Sequence, residues 1–111
     1  MAHSERLASR VREILAEGGQ VAERRMFGGL AFMVNGHMCC GIIRDDLMLR
    51  LGADRAGQAL REPHVRPMDF TGRPLRGFIF VDKAGFRSRA ALESWLRPAI
   101  QFVSTLPRRP R

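Results

Sequence analysis

The apolar residues Leu7, Val11, Ile14 and Leu15 recur at helical spacing near the start of the chain. Ser4 is of the type that caps a helix and Glu5 suits its positive end, so the pattern predicts an amphipathic helix stopped by Gly18-Gly19. From Ala22 the period changes to that of strands. A segment to Phe27, a break at Gly28-Gly29, a run from Leu30 to Val34, the pair Asn35-Gly36 and a run from His37 to Ile43 follow one another. Arg44-Asp45-Asp46 then turns the chain into a further strand, Leu47 to Leu51.

Asn35-Gly36 is the strongest local signal. Both residues tolerate the positive φ of a type I′ turn, so a two-residue loop sets the register: Val34 opposite His37, Phe32 opposite Cys39, Ala31 opposite Cys40. Strand side chains alternate, and this register sorts the hairpin and the strand after it into two faces. Leu30, Phe32, Val34, Cys39, Ile43, Leu47, Leu49 and Leu51 form the core side. Ala31, Met33, Met38, Cys40, Ile42, Met48 and Arg50 form the other, which is too apolar for a solvated sheet face. It calls for a cover, either a later helix or a second protein surface, and methionine suits adaptable contacts.

Past Gly52 the pattern predicts a short helix from Asp54 to Arg61, an extended segment from Val65 to Phe70, and a turn at Thr71-Gly72-Arg73-Pro74. The run Gly77 to Asp82, with Phe78, Ile79, Phe80 and Val81 in succession, reads as a strand covered on both sides. Ser88 opens a closing helix in which Leu92, Trp95, Leu96, Ala99, Phe102, Val103 and Leu106 keep helical spacing across Pro98, which should kink it. The expected fold class is α+β, a two-layer arrangement of an antiparallel sheet with N- and C-terminal helices. At 111 residues there is room for one core. We expect one domain over 1–106 and a disordered basic tail over 107–111.

No run is long and apolar enough to span a bilayer or to form a signal peptide, and the adjacent Cys39 and Cys40 make no disulfide framework. A cytoplasmic address is the expectation. The formal charge of +8 suggests a phosphate-bearing partner. Yet the basic residues are spread along the chain, all but Lys83 of the 19 are arginine, and no aromatic residues interleave them as a stacking platform would require.

Three stretches invite chemistry. His37-Met38-Cys39-Cys40 offers a metal or thiol site, but on a strand only His37 and Cys39 share a face, and further ligands would have to come from His3, His64 or carboxylates. Arg24-Arg25-Met26-Phe27-Gly28-Gly29 has the glycines and cations of a phosphate cradle, but a strand follows it where phosphate loops need a helix, so a tight bend is favoured. Asp45-Asp46 and Asp69 lie in turns, where solvated aspartate is usual. No catalytic residue, cofactor or metal is called for, and no small-molecule substrate is indicated.

The order helix, Arg25-Met26-Phe27-Gly28-Gly29, hairpin with Asn35-Gly36, Asp69-Phe70-Thr71-Gly72-Arg73-Pro74 and Gly77-Phe78-Ile79-Phe80-Val81 resembles the TfoX/Sxy family, N-terminal domain. The resemblance runs from about Glu5 to Leu106. Met26, Phe27, Gly28, Gly29, Asn35 and Gly36 serve as its structural signature. It implies a two-layer α+β fold in bacterial cytosolic proteins. In longer members it implies regulators of DNA-uptake competence that assist a cyclic-AMP-responsive transcription factor, without known enzymatic activity. Those members carry a C-terminal helical domain, and a stand-alone N-terminal domain is expected here.

The leading expectation is therefore a non-catalytic regulatory or protein-interaction module that contacts a protein partner or a second copy through Met33, Met38, Cys40, Ile42 and Met48. The alternative is a nucleic-acid-binding module using Arg24, Arg25, Arg73 and Arg76. A small enzyme or metal-binding protein is the third reading.

Overall fold

The computed structural model describes residues 4–17, 20–26, 28–68 and 75–107. The expected first helix is α1, Glu5–Leu15, with the Ser4 hydroxyl accepting the Leu7 N–H as its cap. Four strands follow as two hairpins: β1 Val21–Met26, β2 Gly29–Val34, β3 His37–Ile43 and β4 Asp46–Arg50. Helix α2, Ala53–Ala59, leads to β5, Val65–Pro67, and then β6, Phe78–Val81, a 3-10 turn over Lys83–Gly85 and α3, Arg89–Ser104. Helix α3 runs through Pro98, whose ring takes away the hydrogen bond to the Ser94 carbonyl without ending the helix.

The six strands form one antiparallel sheet in the order β1-β2-β3-β4-β6-β5. Helices α1 and α3 lie on one face, so the chain is a two-layer α+β domain, as the pattern implied. Leu7, Val11, Ile14 and Leu15 of α1 and Leu92, Leu96, Ala99 and Val103 of α3 bury into a common core with Phe32, Leu47, Leu49, Ile79 and Val81. The sheet edges are blunted: β1 carries the exposed Glu23, Arg24 and Arg25, and β5 is three residues long and ends in Pro67. Glu23 also pairs with Arg12 of α1, and Arg89 of α3 pairs with Glu13 and Glu17, tying the edge strand and both helices together at modest gain.

Asn35 and Gly36 have φ of 53° and 84°, as a type I′ turn requires, and Val34 faces His37. Beyond that pair the expected register is corrected. Met33 faces Met38, but Phe32 faces Cys40 and Ala31 faces Gly41, with Cys39 inserted as a β-bulge. Uninterrupted alternation would point Gly41 at the helices and leave a hole in the main core. The bulge instead turns Cys40 and Ile42 inward and sends Gly41 outward, where Met48 Cε lies 2.6 Å from the place its Cβ would occupy. Ile43, expected in the main core, joins the outer face.

Because of the bulge both Cys39 and Cys40 sit fully buried in the main core as free thiols. The hydrogen bond with Cys39, together with burial, holds the Cys40 thiol well above its ordinary value of 9.0. The folded state thus keeps this proton more tightly than the unfolded chain. Its contribution to stability is complete below pH 9.0 and is lost progressively as pH rises above that towards the folded-state value.

The first hairpin is closed by the pair Met26 and Gly29. Gly28 takes φ of 72° with nothing near its absent Cβ, whereas a Cβ on Gly29 would fall 2.1 Å from the Ile42 carbonyl oxygen. Gly28→Ala should therefore cost only the left-handed backbone penalty, about 1–2 kcal/mol. Gly29→Ala should cost about 3 kcal/mol, because a strand must move. Urea unfolding measures both, and the reverse order would contradict this packing. A thiol reagent at pH 8 should find neither cysteine in the native protein and both after denaturation; rapid native labelling would refute the inward turn of Cys40.

Candidate functional site

The face of the sheet away from the helices is the side that the sequence singled out. At its centre Met48, Met68 and Phe80 form a second, smaller buried cluster, with Met38, Ile43, Leu75 and Phe78 packed around it and partly exposed. Met68 arrives there from the segment after β5, and its carbonyl accepts the Leu75 N–H at 2.7 Å, so the two ends of the intervening stretch are pinned beside the cluster. Asp69, Phe70, Thr71, Gly72, Arg73 and Pro74 lie outside the described residues, as does Phe27 of the signature motif.

Charged groups frame this cluster. Arg66 stacks 5.2 Å from the Phe80 ring centroid and donates hydrogen bonds to Asp82 at 3.0 Å and Asp46 at 2.6 Å. Burial acts to lower the pKa of this guanidinium, but the hydrogen bond with Asp82 and the charge of Asp46 outweigh it, and the net direction is upward. Asp46 is therefore a strand residue engaged with an arginine, not part of a solvated turn; the turn is Arg44-Asp45, with φ of 57° at Arg44. Arg50 lies 5.7 Å from both the Phe78 and Phe102 rings and so links the outer cluster to α3. Such stacking is worth about 0.5–1 kcal/mol where water has access.

Of the five residues expected on an interaction surface, the structure keeps Met33 and Met38 there. They face each other across β2 and β3 and are partly exposed. Cys40 and Ile42 are corrected: the bulge places both at 0% exposure beneath the helices. Met48 has the expected face but is 1% exposed, under the second cluster. Ile43, Leu75 and Phe78 are further partly exposed apolar residues of this face, packed against the second cluster. Ile43 was missed because the bulge is invisible to simple alternation. Leu75 and Phe78 were missed because the partners of β6 were not assigned.

The expected nucleic-acid contacts do not converge. Arg24 and Arg25 are neighbours on the edge strand β1, so their side chains leave opposite faces. Arg76 precedes β6, four strand positions away in the sheet, or about 19 Å at the usual strand spacing. Arg73 lies outside the described residues. A different set comes together instead: Arg6 and Arg10 on α1 and Lys83 and Arg87 before α3 line one cleft. Their only signal in the sequence was the spacing of Arg6 and Arg10 by one helical turn. The thiol and metal reading also loses its geometry, since Cys39 points into the core while the His37 imidazole Nε2 meets the Pro107 carbonyl oxygen. Among the described residues no three His, Cys, Asp or Glu side chains are grouped to hold a metal ion, and no helix is long and apolar enough to cross a membrane.

No curated protein and no solved structure matches this chain. The family described as TfoX N-terminal domain matches residues 13–103, a span that holds the last turn of α1, the whole sheet and all but the end of α3. With the helix, the Met26 to Gly29 bend, the Asn35-Gly36 hairpin and the two-layer fold all in place, this chain belongs to the TfoX N-terminal domain family.

Proposed function

We propose that this chain is a non-catalytic regulatory module that acts in the cytosol by binding a protein surface, either a partner or a second copy of itself. The observation that carries the reading is the pair Met33 and Met38, held opposite each other and partly exposed on the face away from the helices. On the same face Ile43 and Phe78 are partly exposed at the margin of a cluster that is already packed, so the apolar strip rests on a filled layer. A docking protein would therefore meet a firm floor with mobile thioethers at its edge, which suits contacts that must adapt. Burial of the strip would contribute about 25 cal/mol per Å² of apolar area removed from water.

The partner belongs to transcriptional control linked to competence, by extension of the role that the family resemblance implies for longer members. Light scattering over a concentration series reads self-association, and photo-crosslinking from position 38 in the native cytosol reads a partner. At least one of them should be positive and should be abolished by Met38→Lys. The thermal midpoint of that variant should stay within about 4 °C of the parent, since position 38 lies at the rim of the cluster. A strict monomer that forms no crosslinked species would contradict the reading.

A further inference from the structure

The cleft between the first turns of α1 and the link from the 3-10 turn to α3 has a volume of about 660 Å³ and is lined by Arg6, Arg10, Lys83 and Arg87, with Phe86 among its apolar residues and Asp45 as its one carboxylate. Arg6, Lys83 and Arg87 are exposed, and none of them has an ion pair or side-chain hydrogen bond among the described residues. Arg10 is fixed in the wall. Its Nη2 donates to the carbonyls of Phe86 at 3.1 Å and Arg87 at 3.3 Å, while its Nε and Nη1 make no hydrogen bond among the described residues. Arg89 also borders the cleft but is committed to Glu13 and Glu17 of α1.

Other cations of this protein pair with carboxylates, Arg12 with Glu23 and Arg66 with Asp46 and Asp82. Here four cations drawn from segments more than seventy residues apart line one hollow, and Asp45 is the one carboxylate among its described lining residues. Like charges repel, and their convergence is most simply balanced by an anion seated among them. The volume falls in the range of small-molecule sites, and one cation already held by the backbone reduces the ordering cost of binding.

We propose that this cleft binds a small anion bearing two or more phosphoryl groups, with Arg10 as the fixed donor and Arg6, Lys83 and Arg87 closing on the remaining oxygens. Asp45 in the lining favours a ligand that also offers a hydroxyl or amino donor. The four cations line a single cleft of about 660 Å³, a size that suits a compact ligand more than an extended nucleic-acid backbone. This site lies apart from the Met33 and Met38 strip, and its failure would leave that surface untouched.

Calorimetry with tripolyphosphate at low salt tests it, with inorganic phosphate, a short DNA duplex and the unmodified protein as comparisons. Tripolyphosphate should bind one-to-one, and inorganic phosphate about tenfold or more weakly. Arg6→Glu combined with Lys83→Glu should weaken tripolyphosphate by about 100-fold and Arg87→Ala by about fivefold. Arg24→Glu combined with Arg25→Glu, an equal change of net charge, should alter it by less than about threefold. No binding, or equal losses in the two double variants, would overturn the proposal. So would a duplex that displaces tripolyphosphate with a steep salt dependence, since that would assign the cleft to a nucleic-acid backbone.

Discussion

The residue inserted at Cys39 governs which side of the sheet every later position in β3 faces. In an unbroken ladder a glycine in the middle of β3 would lie under the helices, where a missing side chain leaves a void and forfeits contacts on all sides. One bulge exchanges that void for two buried side chains, Cys40 and Ile42, each at 0% exposure. The same exchange moves Gly41 to the outer face, where Met48 closes over it, and brings Ile43 beside the second cluster. The glycine at 29 belongs to this arrangement as well, because its bare backbone allows the strand to approach the Ile42 carbonyl.

From that constraint follows the division of the outer face. Its centre is packed by Met48, Met68 and Phe80, with Arg66 anchored over Phe80 by two aspartates, so it behaves as a minor core. Accessible around it are the margin formed by Ile43, Leu75 and Phe78 and the end of the hairpin nearest the Asn35-Gly36 turn, where Met33 and Met38 meet. The face that looked uniformly apolar in sequence is thus part structure and part surface. Meanwhile the helix layer brings the start of α1 against the segment before α3, and the cationic cleft is a product of that tertiary contact alone.

Elements whose pattern is local were legible in the sequence. Periodicity and caps located α1 and α3, Asn35-Gly36 located its turn, and the strands from β1 to β4 and β6 lay within a residue or two of the expected places. Val65 to Phe70 was expected as one extended segment, and the described strand is its first half, Val65–Pro67. The register failed where it depended on packing: nothing near Cys39 marks a bulge, and only the cost of a core glycine explains it. Two of the five expected surface residues were lost to that single step. The arginines read together from their proximity in sequence were separated by the strand's own alternation, and those that do converge are joined by a fold that no local pattern shows.

The inward turn of Cys40 and Ile42 is the claim on which both the core and the accessible surface rest, and cross-strand proton contacts between β2 and β3 in a nuclear Overhauser spectrum read it directly. The account predicts Phe32 opposite Cys40 and Ala31 opposite Gly41, with Cys39 lacking a partner. An unbroken ladder with Phe32 opposite Cys39 would return Cys40 and Ile42 to the outer face and contradict it.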